Sequence, residues 1–389
     1  MNVLYQIASR VRMRNKLKII LLSIFHVAFL CACTAHVHEQ DTVKQKRPVI
    51  IDTDMAIDDW TAVLYTLQHP TTKVVAITVT GAGETYCKEG LENVMHLIYL
   101  ADKLDENIPV ACGDSEPMDG YNVFPQPWRD EANSLFDLPK PKNLPAALSE
   151  HAVPFLNRTL TQASEPIDII ALGNLTNIAQ LILEYPQALN NLGELFIMGG
   201  AYNAKGNIIV PGFTDDNLNK VAEWNIYVDP LAAKIVFDSD VNKTIVPLDA
   251  TNEVRVTHDF AKRLKARAKS KAALFQDQIL DRNKGFISSN EYYFWDVLTA
   301  VYALDPSICQ FESHFTSVNV DTADHAGPNE QAPYPATRYG DKARQTLDPE
   351  VAGQTIKVAT GNGRKAKICV KPNVERFEEL LIQGLNASL

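Results

Sequence analysis

The stretch Val49-Ile50-Ile51-Asp52-Thr53-Asp54-Met55-Ala56-Ile57-Asp58-Asp59-Trp60 constrains this chain more than any other. An apolar run ends in four carboxylates within eight residues. A helical stripe follows, with Trp60, Val63, Leu64 and Leu67 at i, i+3, i+4 and i+7. Like charges at the end of a core strand repel one another and lose their water, and both effects are unfavourable. No lysine or arginine follows Arg47 within the stretch. A metal ion therefore leads over an internal cation or open water as the group that offsets the acids.

The rest of the chain repeats the strand–helix rhythm. Pro48 to Ile51 reads as a strand, the Trp60 stripe as a helix stopped by Pro70, and Lys73 to Thr80 as a second strand. A turn at Gly81-Ala82-Gly83-Glu84 leads to a second stripe at Leu91, Val94, Met95 and Ile98. Further on come strand Ile167 to Leu172, helix Thr176 to Glu184 ended by Pro186, strand Leu195 to Met198 and strand Thr244 to Leu248. Asp229-Pro230 has the form of a helix N-cap followed by proline at the first helical position. Phe260 to Asp281 is expected as one long basic surface helix and Tyr292 to Leu304 as an apolar helix. Ser317 to Val320, Ile356 to Ala359 and Ala366 to Val370 read as late strands, with a closing helix from Val374 to Leu385. The pattern predicts one α/β domain over residues 48–389, a mostly parallel central sheet with helices on both faces. In such sheets ligands bind beyond the carboxyl ends of the strands. The residues found there are acidic and amide-rich, and no G-x-S-x-G, P-loop or G-x-G-x-x-G is among them.

The N-terminus reads as something other than fold. Arg10, Arg12, Arg14, Lys16 and Lys18 precede the apolar run Ile19 to Leu30, which is short for a bilayer span, and Leu30-Cys31-Ala32-Cys33 follows. This predicts a lipoprotein-type signal peptide at 1–32, lipidation at Cys33 and a polar tether at 33–47. The mature protein would then be exported and membrane-anchored through its lipid, with an uncleaved N-terminal anchor as the alternative. The formal net charge of −10 disfavours nucleic acid as a partner. Cys87, Cys112, Cys309 and Cys369 show no C-x-x-C spacing, so a zinc site is not expected. Buried free thiols are the default in a domain of this size. His96, His151, His258 and His314 stand alone and are expected in surface or core roles.

Asp52-Thr53-Asp54-x-x-x-Asp58-Asp59 resembles the signature of the nucleoside hydrolase family, the calcium-dependent nucleoside N-ribohydrolases. Further stretches agree in order: Thr78 to Glu84, Ala171-Leu172-Gly173-Asn174-Leu175-Thr176-Asn177-Ile178-Ala179, Met198-Gly199-Gly200, Ala222-Glu223-Trp224-Asn225 through Asp229-Pro230, and Trp295-Asp296. The resemblance implies a nucleoside hydrolase-like fold and a Ca2+ ion held by Asp54, Asp59, the Thr176 backbone carbonyl and Asp296. It implies Asp54 as general base toward a water that attacks the anomeric carbon, and a small-molecule nucleoside or N-riboside as partner. Asp58, Glu223 and Asn225 map to ribose-holding positions, and Met198 to an apolar contact under the sugar, although a core role competes for Met198. Asp52 is expected to fix the loop, and Asp229 to cap a helix. Relatives of this kind are often dimers or tetramers, so a homo-oligomer stays open.

The chain departs from that pattern in three places. Met55-Ala56 stands where many members have Pro-Gly, so the loop must reach its geometry without that glycine. Glu84 stands where asparagine contacts the sugar, adding a charge to the site. Trp295 stands where many members carry a histidine that protonates the leaving base. Tryptophan cannot supply that proton, but it can stack on an aromatic base, with Tyr292, Tyr293 and Phe294 nearby. Two functions therefore stand side by side. One is hydrolysis of an N-glycosidic bond to free base and ribose. The other is a non-catalytic, calcium-dependent sugar- or nucleoside-binding lipoprotein.

Overall fold

A computed structural model describes residues 46–118, 123–321 and 347–387. The leader, Cys33 and nearly all of the tether lie outside them. Strand β1 (Arg47–Thr53) runs through the centre, and α1 (Ile57–Gln68) follows it. The four stripe residues of α1 are buried, and so are Asp58, Asp59, Thr61 and Thr66 on its other faces. A stripe that reads as one side of a surface helix thus belongs to a helix enclosed by the sheet and by neighbouring helices.

Next come β2 (Thr72–Val79), α2 (Cys87–Leu100) and the short β3 (Val110–Cys112). Helices α3 (Gln126–Ser134) and α4 (Ala152–Thr161) precede β4 (Ile167–Ala171), α5 (Thr176–Glu184) and β5 (Leu192–Met198). After a long excursion the chain forms α6 (Trp224–Val228), α7 (Pro230–Asp238), β6 (Lys243–Val246) and α8 (Leu248–Thr251). Then follow α9 (His258–Arg267), α10 (Lys271–Arg282), α11 (Lys284–Ser289) and α12 (Trp295–Leu304). Strands β7 (Cys309–Val318), β8 (Thr355–Val358) and β9 (Ala366–Pro372) and helix α13 (Val374–Gly384) complete the described chain. Lys46–Leu389 forms one compact unit. No helix among the described residues is long and apolar enough to cross a membrane.

The nine strands lie in the order β3-β2-β1-β4-β5-β6-β9-β7-β8. All pairings from β3 to β9 are parallel, while β7 pairs antiparallel with β9 and with β8. The order reverses at β1, which pairs with β2 on one side and β4 on the other. This switch point opens a crevice at the carboxyl ends of β1 and β4, where ligands of such sheets bind. Alternation along β1 feeds two cores. Val49 and Ile51 face one with α1, α2 and α12, and Ile50 faces the other with α4, α5 and α7.

Several expectations need correction. The expected helix 260–281 is two helices, because Ser270 accepts from the Ala273 N–H and caps a new start at Lys271. Neither is a pure surface helix, since Phe260, Leu264, Phe275 and Ile279 are buried. Helix α12 begins at Trp295, because Tyr292 and Phe294 pair their backbones with Val256 and Val254 instead. Ser317 to Val320 marks only the end of β7, whose middle residues are exposed and lack an apolar run. The thiols are not free. Cys87 is bonded to Cys112, and Cys309 to Cys369. The spacing hid both pairs because the sheet brings together cysteines that lie 25 and 60 residues apart.

Candidate active site

The acid-bearing loop is shaped by its own side chains. Thr53 Oγ1 accepts from the Met55 N–H at 3.0 Å and donates to Asp59 Oδ1. Met55 takes a left-handed φ of +61°, which is unfavourable for a residue with a Cβ by about 1–2 kcal/mol. Burial of Met55 and a 2.9 Å hydrogen bond from Trp60 Nε1 to its carbonyl hold it there. Ala56 is extended, at φ −61° and ψ 169°. The strain of lacking Pro-Gly therefore falls on Met55 and not on the position where glycine was missed. Two true glycines do matter. A Cβ on Gly83 would lie 2.1 Å from Asp54 Cβ, and one on Gly173 2.7 Å from it. The turns after β2 and β4 can close on Asp54 only because neither carries a side chain.

Asp54 is buried between these turns. Its carboxylate accepts from Glu84 N–H at 3.2 Å and Ala56 N–H at 3.3 Å. Asp58 and Asp59 occupy the first turn of α1, and Asp296 the first turn of α12. The Asp296 N–H donates to Asp58 Oδ2 at 3.1 Å, joining two helix N-termini at one point. Such termini favour anions, by up to about 2 kcal/mol in partly buried settings. Oxygens of Asp58, Asp59 and Asp296 all lie within 4.8 Å of one another. Asp54 is outside that trio but touches Asp59 side chain to side chain.

Two unit charges about 4 Å apart repel by about 4 kcal/mol at an effective dielectric near 20. Three such pairs would rival the entire stability of a domain, ~5–15 kcal/mol. The cluster must therefore take up protons or a cation. Burial raises Asp54 and Asp58 to about 6 and pushes Asp59 and Asp296 well above the carboxylate range. No donor among the described residues reaches Asp59 Oδ2 or Asp296 Oδ1. Orphaned, all-oxygen acceptors of this kind suit a hard divalent cation of the calcium or magnesium type. Thr176 begins α5, and its hydroxyl is engaged by Asn174 and Asp229 at 2.7 and 2.6 Å.

The expected sugar-holding residues gather at the ends of β4 and β5. Glu223 caps α6, accepting from Asn225, Ile226 and Gly200 N–H groups at 3.0, 3.3 and 3.2 Å. Burial nonetheless raises it to about 7. Asn225 Nδ2 donates to the Leu172 carbonyl at 2.8 Å and contacts Met198. Met198 is buried with Ala201 and Leu248, and Trp295 packs on that group. Trp295 is half-buried and touches Phe286, Tyr292 and Tyr293, whereas Phe294 turns away into a core with Phe260 and Phe377.

Asp52 holds the loop as expected, accepting from Thr78 Oγ1 at 2.5 Å and Asn177 Nδ2 at 2.8 Å. Asp229 caps α7 and also accepts from Met118 N–H at 2.7 Å. The four histidines lie elsewhere: His96 beside Phe275, His151 on Asp114, His258 on Ser288 and His314 on Glu312.

Glu84 is buried, and its carboxyl is pushed well up by burial and by Asp54 and Asp58. A cation acts on it that no motif or periodicity singles out. Arg129 on α3 is buried, lies 4.1 Å over the Tyr86 ring, and lowers both Glu84 and Asp54. It sits in a polar stretch without periodicity. Asn177, within the Ala171 to Ala179 block, likewise carries no individual role in the sequence pattern, yet it holds Asp52.

Residues 49–379 match the profile of the inosine-uridine preferring nucleoside hydrolases. Pyrimidine-specific ribonucleoside hydrolase RihB of Escherichia coli K12 is 29% identical over 233 residues, 60% of this chain and 69% of that one. Pyrimidine-specific ribonucleoside hydrolase RihA of Salmonella typhimurium is 31% identical over 269 residues, 67% and 80% of the two chains. The solved inosine-uridine preferring nucleoside hydrolase from Bacillus anthracis superposes with a TM-score of 0.68 at 21% identity, covering 88% of this chain and 99% of that one. Together these define a nucleoside N-ribohydrolase, an enzyme that hydrolyses ribonucleosides. The chain belongs to the inosine-uridine preferring nucleoside hydrolase family.

Proposed function

We propose that this enzyme cleaves the N-glycosidic bond with Asp54 as general base in a calcium-holding site. The observation that carries this reading is the buried cluster of Asp58, Asp59 and Asp296 with two acceptor oxygens lacking donors. Asp54, Asp59, Asp296 and the Thr176 carbonyl would hold the ion. When bound, calcium supplies the charge that neutralises the acids and eases deprotonation of water. Asp54, fixed by the Ala56 and Glu84 amides, takes the proton as water attacks the anomeric carbon, while the C–N bond breaks with its electron pair departing on the base, which takes its proton from solvent. Asp58, Glu84 and Asn225 bind sugar hydroxyls. Glu223, engaged by three amides, sets the floor beneath them and lends negative charge to the oxocarbenium-like transition state. Met198 and Trp295 form the apolar side that receives the base.

The names of the relatives near 30% identity support pyrimidine ribonucleosides as substrates, uridine first. With calcium saturating, chromatography of uridine and cytidine incubations is expected to give free base and ribose in equal amounts. Absence of both products across pyrimidine and purine nucleosides would favour the non-catalytic binding protein instead. Trp295→Ala is expected to raise KM about 10-fold through lost stacking with a smaller change in kcat. An unchanged KM would remove Trp295 from the base site.

The lipid anchor at Cys33 is likewise a proposal, supported by the Leu30-Cys31-Ala32-Cys33 sequence behind a basic and apolar leader. Wild-type protein should fractionate with membranes and Cys33→Ser should not. Equal partitioning of the two would rule the anchor out.

A further inference from the structure

We propose that the Cys87–Cys112 disulfide is a positioning element for Asp54, acting through the turn between β2 and α2. This rests on the reading of Asp54 as general base. The turn from Thr80 to Thr85 is buried throughout and is in contact on two sides. On its inner side it holds Asp54. Glu84 N–H donates to Asp54 Oδ2 at 3.2 Å, and Thr85 donates to the Asp54 carbonyl from both its N–H, at 3.0 Å, and its hydroxyl, at 2.9 Å. Gly83 lies so close that a Cβ would fall 2.1 Å from Asp54 Cβ.

On its outer side the turn rests on the disulfide. A Cβ on Gly81 would lie 2.6 Å from Cys87 Sγ and 3.3 Å from Cys112 Sγ. The backbone between Gly81 and Gly83 is therefore packed between the sulfurs and Asp54, with no side chain in either gap to absorb a shift.

The bond is placed where the fold is otherwise weak. Cys112 ends β3, a three-residue strand at the edge of the sheet whose one strand partner among the described residues is β2, with single backbone links from Val110 to Leu148 and from Cys112 to His151 beyond it. Cys87 is the first residue of α2, directly after the turn. The bond ties this short edge strand to the helix that closes the turn. It also fixes Gly113, where a Cβ would fall 1.8 Å from Asn177 Oδ1. Asn177 in turn donates to Asp52 Oδ1 at 2.8 Å. One cross-link thus supports both acids that bracket Thr53. The second disulfide offers a contrast. Cys309–Cys369 joins β7 to β9, which already pair along their length on the far limb of the sheet.

The expected result for Cys87→Ser/Cys112→Ser is a kcat lower by about 10- to 100-fold with KM changed less than about 3-fold, the split a misplaced general base gives. Cys309→Ser/Cys369→Ser is expected to lower Tm and keep wild-type kcat well below that Tm. Should the first variant fail to fold, the Cys309→Ser/Cys369→Ser protein is folded, loaded with calcium and treated with a phosphine reductant. Its kcat must then fall by the same factor while circular dichroism stays unchanged. Wild-type kcat in the folded variant or in the reduced protein overturns the proposal. So does peptide mapping that finds Cys87 and Cys112 as free thiols in fully active enzyme. If Asp54→Asn also keeps its activity, the general-base reading itself has failed. If Asp54→Asn is inactive while the cross-link is dispensable, only the positioning role has failed.

Discussion

Asp54→Asn is expected to lower kcat for uridine by roughly 10^3-fold while the protein stays folded, within the range a positioned general base contributes. Asparagine has nearly the same shape as aspartate. Its Oδ1 still accepts from one of the two amides that hold Asp54, those of Ala56 and Glu84. What it lacks is a group able to take the proton from water. In metal-free protein it also removes one charge from a crowded cluster, so the folded state gains rather than loses from the change. A structural residue would behave in the opposite way, with lower stability and retained turnover. Steady-state kinetics at saturating calcium, with circular dichroism on the same sample, separate the two. A kcat within 10-fold of wild type would exclude Asp54 as the base.

Metal-free protein is expected to lose stability as pH rises from about 4 to about 7, and calcium to restore it. Burial raises Asp54 and Asp58 to about 6 and Asp52 and Glu223 to about 7 in the folded protein. In the unfolded chain the same groups titrate at about 3.9 to 4.3. Between those values the folded state holds more protons than the unfolded one, so each rise in pH favours unfolding. The stability is fully present below about pH 4 and is gone once the pH passes the folded values near 7. Bound calcium reverses the trend by favouring the charged forms. At ~100 times its dissociation constant it adds about 2.7 kcal/mol, a Tm rise of several degrees. Asp59→Asn sharpens the test. It should raise the Tm of the chelated protein at neutral pH and abolish the response to calcium. Calorimetry in chelator and in calcium across this pH range decides the matter. A chelated Tm that stays flat with pH, together with no calcium shift, would show that the cluster is neither charged nor metal-binding.

Much of the site was legible because the motif residues sit next to strand ends. Asp54, Asp58 and Asp59 follow β1 directly, and Thr176 and Met198 mark the ends of the next two turns and strands. The α5 limits and the Asp229-Pro230 cap also followed from local rules, since Pro186 stops one helix and Asp229 starts another by its own side chain. Elements that depend on neighbours were harder to read. The break at Ser270 competes with good helix formers on both sides. The start of α12 is decided by backbone pairing with residues near 255, which no local signal encodes. Arg129 carries no periodic or motif signature. Its role arises because α3 packs against the turn that holds Glu84.

The sequence by itself determined the parallel α/β architecture, the acids at the end of the first strand and the order of the family's motifs. These are encoded by short-range periodicity, caps and adjacent residues. Only the tertiary structure decided the strain at Met55, the meeting of the α1 and α12 N-termini at Asp58 and Asp296, the capping of α6 by Glu223 and the pairing of the cysteines. Each of these joins groups far apart in the chain or depends on what packs beside them. Their energies come from burial and from desolvated charge, which exist only once the sheet has closed around them.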